Sequence, residues 1–420
     1  MVIDLITLMS FGVYFFSIYC AVYFFYTYLK KSRDAVPTLF HPGVTIIIPA
    51  YNEEKNIRMA VDSCLNQDYN GSIEVIVVDD GSTDKTRQIC SEYVKKGLIK
   101  LILKNKPGSP TGKISSVNLG IKKAVNALVG ILDADSYLEP NVFKELIGHF
   151  ENPKVGAVVP LQKVHKPKSL LERIQSVEYV ISFCIRRLMA YSDSLFITHG
   201  VGCIFRKSAL REVGYFEEKT LTEDLNIALK LIKAGYLIRS SFKAIGYTKV
   251  PDNLKSLRKQ RLRWNGGLCE NIYWFKEMLI NKRYGNLGLF MLPINLAWTG
   301  LMIYFFFSVV TESIKIITEA LRDLVITKFD FIFFISERLS SIQLLKFNQM
   351  TMLNVISMVI FLIFYFILSR RMGFNYKQII TSLLILPFYF TAYFLLMGVF
   401  WVITPFYLIK RGGVGWSVKS

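Results

Sequence analysis

The sequence predicts an α/β domain set between membrane-crossing helices. Three observations carry that prediction. Short apolar runs alternate with amphipathic stretches from residue 41 to about 161. Acidic clusters follow two of those runs: Asp79-Asp80 after residues 73–78, and Asp133-Ala134-Asp135 after Leu128–Leu132. Long apolar segments occupy both ends of a 420-residue chain that is 52% hydrophobic, with a mean hydropathy of +0.34. That composition is too apolar for an ordinary soluble enzyme.

Residues 5–29 are almost uncharged, long enough to cross a hydrocarbon core of ~30 Å. Lys30, Lys31 and Arg33 come next, whereas the residues before carry only Asp4. A cleavable signal peptide has a basic start and a shorter apolar core, so this segment reads as an uncleaved anchor. Its basic flank places Lys30 and the adjoining α/β domain in the cytoplasm.

Residues 44–48 are a β-branched run ending at Pro49. Ile57–Leu65 has helical spacing. Strands are expected at 75–78, 99–103, Leu128–Leu132 and 155–160, with helices at 86–93, 114–127 and 142–150. This alternation implies a mostly parallel sheet covered on both faces. In such sheets ligands bind at the carboxyl ends of the strands, where the acidic clusters sit.

From 169 to 188 the period changes. Leu170, Ile174, Val177, Ile181, Cys184 and Leu188 recur at steps of three and four, flanked by Lys166, Lys168, Arg173, Arg186 and Arg187. That predicts an amphipathic helix with basic edges, suited to a bilayer interface or to packing on the sheet. Residues 253–279 form a second such segment.

Residues 287–310 and 352–368 read as spans, with 311–349 outside the bilayer or at its interface. Residues 379–408 are apolar throughout, interrupted by Pro387 and Pro405. Counted as one span they put Lys410-Arg411 outside, against the positive-inside tendency. A hairpin bent at Pro387 returns that basic end to the cytoplasm, and is the expectation adopted. The domains are then an anchor (1–36), a cytosolic α/β domain (37–283) with interfacial helices near 168–190 and 253–280, and a membrane domain (284–420).

The net charge is +19, from 51 basic and 32 acidic residues. Many basic residues flank apolar segments, which favours anionic lipid headgroups and a phosphorylated substrate over nucleic acid. The six cysteines are scattered without zinc-ligand spacing, and most lie in the expected cytosolic part, where thiols stay reduced. The four histidines are dispersed as well.

Five motifs carry candidate chemistry. The turn Pro49-Ala50-Tyr51-Asn52-Glu53 and the cluster Asp79-Asp80-Gly81-Ser82-Thr83-Asp84 lie where a nucleotide would be read, with Asp84 also suited to cap the next helix. Asp133 and Asp135 are hard oxygen donors, suited to Mg²⁺ or Mn²⁺ bridging a diphosphate. Lys113 and Arg263 are cationic partners for that diphosphate. Thr222-Glu223-Asp224 fits a plain helix start, or places Asp224 as a general base. In Gln260-Arg261-Leu262-Arg263-Trp264, Gln260 and Arg263 share a helical face and Trp264 offers a flat apolar surface for a sugar. An interfacial helix anchored by Arg and Trp fits the same residues.

From about residue 44 to 267 these motifs, in this order, resemble the membrane-embedded processive glycosyltransferases of family 2, which include cellulose, chitin, hyaluronan and poly-N-acetylglucosamine synthases. The resemblance implies a GT-A fold, a UDP-sugar donor, a Mn²⁺ or Mg²⁺ ion, and inverting transfer that gives a β-linkage. It implies that Tyr51, Glu53, Asp80, Lys113, Asp133, Gln260 and Arg263 bind the donor. Asp133 and Asp135 hold the metal, and Asp224 is the catalytic base. Glu223, Trp264, Gly200, Gly202 and Cys203 meet the acceptor, the last three within a loop. No Phe-x-Val-Thr-x-Lys gating sequence is present, and one expected span rather than two precedes the catalytic domain. Ceramide glucosyltransferases share much of the motif set and add a single sugar. A growing polysaccharide exported across the membrane and a membrane-lipid acceptor therefore both fit, as does, less well, a noncatalytic glycan-binding component. The sugar and any accessory subunits are not legible.

Overall fold

The computed structural model describes residues 40–332 and 349–411, so the anchor expected at 5–29 lies outside the described residues. Two compact units divide the chain: Met1–Pro293 with Leu408–Ser420, and Ile294–Tyr407.

The first unit is built on one eight-stranded sheet. Its strands are β1 (Val44–Ala50), β2 (Ile73–Asp79), β3 (Lys100–Leu103), β4 (Leu128–Leu132), β5 (Tyr137–Leu138), β6 (Val155–Val164), β7 (Val201–Arg206) and β8 (Leu237–Thr248). The order is β3-β2-β1-β4-β7-β6-β8-β5. β3, β2, β1 and β4 are parallel, as expected. β7 then runs antiparallel to both β4 and β6, and β5 antiparallel to β8, so the sheet is mixed rather than mostly parallel. The expected loop at 200–203 is largely strand β7. Its run Val-Gly-Cys-Ile-Phe is too short to show a period, and its partners lie far away in sequence.

The central strands are buried on both faces. Ile47, Ile76, Val78, Val129 and Ile131 enter one apolar core, and Ile46, Ile48, Val75, Val77, Leu128 and Leu132 the other. This is the period-two alternation of a strand, with helices on each side. Those helices are α1 (Ile57–Leu65), α2 (Thr86–Lys95), α3 (Lys113–Lys123), α4 (Val142–Ile147), α5 (Leu170–Tyr191), α6 (Lys207–Glu212), α7 (Glu223–Lys233) and α8 (Leu254–Trp274). α3 stops short of the expected 127, and α4 passes into a 3₁₀ turn, Gly148–Glu151. α5 buries Ile174, Val177, Val180 and Phe183 and packs on β6 and β8, leaving Leu170 and Ile185 exposed. α8 starts at Asn253, whose side chain accepts the Ser256 N–H.

The second unit is helical: α9 (Leu292–Ile326), α10 (Gln349–Arg371), α11 (Tyr376–Phe388) and α12 (Phe394–Lys410). α9 continues past the expected end at 310. α11 opens with a capping box between Asn375 and Gln378. Gly398 leaves room for Phe306, whose ring would lie 2.7 Å from an added Cβ.

Two stretches, Leu287–Ile326 and Tyr376–Lys410, are long and apolar enough to cross a membrane. The second corrects the expected hairpin. α11 and α12 join through a π turn, Tyr389–Tyr393, and Pro387 lies inside the helix. A widened turn accommodates the missing N–H, and Thr391 Oγ1 donates to the Pro387 carbonyl at 2.6 Å. Ile326, Leu384, Phe406 and Ile409 are 67%, 70%, 68% and 72% exposed. So much open apolar side chain suits lipid better than water.

Candidate active site

The carboxyl ends of β1, β2 and β4 lie side by side and carry the acidic motifs. The first two ends are stitched together. Asn52, held at φ 56, donates its N–H to Ser82 Oγ and accepts the Thr83 N–H on its side chain. Glu53 N–H donates to Thr86 Oγ1, and Glu54 N–H to Asp84 Oδ2. Asp84, one residue before the N-cap position that Lys85 holds, also takes the Thr86 N–H at the start of α2. Tyr51 stands exposed at the mouth of this turn.

Asp80, expected at the sugar donor, is tied to the chain's own hydrogen-bond donors. Its carboxylate is buried and accepts from Asn105 Nδ2 (2.6 Å), Gly112 N (2.7 Å), Lys104 Nζ (3.1 Å) and Thr111 N (3.2 Å). Burial pushes this carboxyl up, but the Thr111 N–H, Lys104 and the Gly112 N–H outweigh it and hold it below the ordinary range. Asp80 here anchors the 104–112 segment that leads into α3 rather than presenting free oxygens to a base. Asp79 pairs with Arg87 at 2.5 Å.

The charged centre lies between β4, α3 and α7. Lys113 Nζ, at the start of α3, is 2.7 Å from Asp133 Oδ1 and 3.1 Å from Glu223 Oε1. Arg263 Nη1 is 3.8 Å from Glu223 Oε2 and donates to the Leu221 carbonyl. Glu223, expected beside the acceptor, thus serves as counter-ion to two cations. One cavity is lined by Lys113, Glu223, Asp224, Thr198, His199 and Gly200 among others. Asp224 is the second residue of α7, which has Thr222 as N-cap, and its Oδ1 accepts the Leu225 N–H at 2.8 Å. Burial, then the charge on Glu223, push the Asp224 carboxyl up to about 6. Glu223 goes the other way: burial opposes it, but Lys113 holds it ionised. Asp224 therefore combines a place in the first turn of α7 with a pKa raised into the range that a general base requires.

Residues 45–214 match the family described as Glycosyl transferase family 2. The protein carries a family 2 glycosyltransferase domain. Over 420 residues the chain is 28% identical to a poly-β-1,6-N-acetyl-D-glucosamine synthase of Staphylococcus epidermidis, covering 97% of this chain and 95% of the relative. A second synthase of that name and species is 29% identical over 385 residues, 90% of this chain and 86% of the relative. A mannosyltransferase of Pyrobaculum calidifontis, solved with GDP-Man and Mn²⁺, shares the fold at a TM-score of 0.53 and 24% identity, covering 64% of this chain and 74% of that one. The domain is GT-A-like.

Within the family 2 domain, Gly200 is a packing necessity. A Cβ there would lie 2.3 Å from Asp133 Oδ2, and the Asp133 N–H donates to the Gly200 carbonyl at 2.7 Å. Gly200→Ala is therefore expected to displace Asp133 and cut turnover by on the order of tenfold or more, with the melting temperature almost unchanged. Activity and thermal melting measured on one preparation check this. Gly202, at φ 74, faces Leu138. Cys203 corrects an expectation: its side chain is wholly buried in the sheet core, because alternate residues of β7 point to opposite faces, so it does not reach an acceptor.

Gln260, Arg263 and Trp264 lie on α8, whose later turns dock on the start of α7. Glu270 accepts the Leu221 N–H at 2.8 Å, Asn271 Nδ2 donates to Thr222 Oγ1 at 3.1 Å, and Gly267 leaves room for Thr222. Sequence reasoning missed Glu270, Asn271 and Gly267. The only available signal was Gly266-Gly267 inside a helical stretch, unusual enough to mark close packing.

Asp133 and Asp135 offer two carboxylates, which suit a divalent ion only if a substrate completes its shell. Among the described residues no three His, Cys, Asp or Glu side chains are grouped to hold a metal alone. Two carboxylates plus diphosphate oxygens and water are the usual set for Mg²⁺. Burial raises the Glu53 carboxyl, as do the charges of Asp135 and Asp133, which places Glu53 in the same acidic field.

Proposed function

We propose that the protein is an inverting polysaccharide synthase that transfers N-acetylglucosamine from UDP-N-acetylglucosamine to a growing β-linked chain. The carrying observation is the shared cavity in which Asp224, with its raised pKa, lies beside Lys113 and Glu223. The sugar and the polymeric product rest on the near full-length similarity to synthases of that name.

In this reading Lys113 and Arg263 receive the donor diphosphate, and Asp133 and Asp135 hold Mg²⁺ or Mn²⁺. The ion would neutralise charge on the departing UDP. Asp224 takes the proton of the acceptor hydroxyl. The hydroxyl oxygen then bonds to the anomeric carbon, and the bond from that carbon to the diphosphate oxygen breaks. Attack from the face opposite UDP inverts the centre and gives a β-linkage. Trp264 carries the acceptor sugar, with Gln260 beside the diphosphate. The domain works at the cytoplasmic face of the cell membrane, and the apolar helices of the second unit belong to a multi-pass membrane region that passes the polymer outward.

Purified protein given UDP-N-acetylglucosamine with Mn²⁺ is expected to release UDP and make polymer, with other UDP-sugars used poorly. In vesicles with catalytic domains facing out, polymer protected from added glycosidase supports export. A single-sugar lipid product would reject the synthase reading in favour of lipid glycosylation.

A further inference from the structure

The proposed acceptor floor, Trp264, needs something to hold its ring. The Arg261 guanidinium stands 4.4 Å from the Trp264 ring centroid. Arg261 is only 5% exposed, and a buried guanidinium requires a counter-ion. α5 supplies it: Glu178 Oε2 is 2.6 Å from Arg261 Nη2. Almost one turn earlier on α5, the wholly buried Gln175 donates Nε2 to the Pro251 carbonyl at 2.7 Å. Pro251 lies just before Asn253, the N-cap of α8. Residues three apart share a helical face, so one face of α5 holds both α8 and the segment that leads into it. A guanidinium is planar, and can take a carboxylate on its edge while an aromatic ring covers its face. The Glu178 carboxylate therefore sets the plane against which the indole lies.

We propose that Glu178 is a positioning residue of the acceptor site, acting through Arg261 on Trp264. It sets affinity for the acceptor saccharide and leaves the donor site alone, because Lys113, Asp133 and Glu223 are held by their own ion pairs, and Arg263, although on α8, is tied to Glu223 and to the Leu221 carbonyl. The proposal rests on the synthase reading above.

The near-isosteric Glu178→Gln tests it, with UDP-N-acetylglucosamine as donor and short β-linked N-acetylglucosamine oligosaccharides as acceptors. The acceptor KM should rise on the order of tenfold or more and the chains should shorten. The donor KM and the hydrolysis of UDP-N-acetylglucosamine without acceptor should stay within about twofold of the parent, the split that separates acceptor placement from general damage. Glu178→Asp should recover part of the acceptor affinity. If Glu178→Gln does not accumulate, Glu178→Leu with Arg261→Met removes both charges from the buried pair and should show the same split. An unchanged acceptor KM, or equal losses on donor and acceptor, overturns the proposal. A parent protein that neither hydrolyses nor transfers from this donor overturns the synthase reading itself, and the proposal with it.

Discussion

Asp224→Asn is expected to bind UDP as the parent does and to lose about two to four orders of magnitude in transfer rate, the scale for removing a general base. The amide keeps the shape that accepts the Leu225 N–H but cannot take a proton. The pH profile of the parent should show the same group. Asp224 works ionised and its pKa is raised to about 6. The rate should therefore fall with acid below about pH 6 and level off above, and the variant should lose that limb. Stability should move the other way. A raised carboxyl pKa means the fold prefers the neutral form, so stability falls as pH rises from the unfolded value through about 6. Asp224→Asn should melt higher than the parent at pH 7, and that gain should vanish below about pH 4, near the unfolded carboxyl value. Near-normal turnover in the variant would return Asp224 to the role of a helix-start residue.

Asp135→Ala should abolish divalent-dependent turnover, a loss on the order of a thousandfold, while the protein stays folded. Asp135 is half-buried and takes a hydrogen bond from Ser136 Oγ at 3.2 Å. Asp133 is a poorer test, because its loss also strips Lys113 of a partner at 2.7 Å. A chelator should silence the parent, and added Mn²⁺ should restore it. Direct Mn²⁺ binding in the presence of UDP, read by electron paramagnetic resonance, should weaken in Asp135→Ala. Turnover that resists chelation would leave Asp133 as a seat for Lys113 alone.

The parallel half of the sheet was legible because β1, β2 and β4 are mostly apolar runs, and the segments after β1, β2 and β3 have helical spacing. β1, β2 and β4 are buried on both faces, and such strands announce themselves by composition. The acidic motifs could be placed for the same reason, since the ends of those runs fix where they fall. α5 was legible from its spacing of three and four. β5, β7 and β8 were not. β5 has two residues, β7 has six, and both gain their hydrogen bonds from strands remote in the chain. Local pattern says nothing about such pairings.

The sequence by itself determined which residues are chemically able: the acids at strand ends, the Thr222-Glu223-Asp224 helix start, and a cationic helix bearing Trp264. Only the tertiary structure decided how they are used. Asp80 is spent on the 104–112 segment because five donors converge on it from positions some 24 to 32 residues later. Cys203 is core because β7 turns that side of the strand inward. Asp224 acquires a base's pKa because folding buries it beside Glu223 while Lys113 favours the ionised form of its neighbour. A pKa is a property of surroundings, and desolvation and opposing charges come together only when distant segments meet.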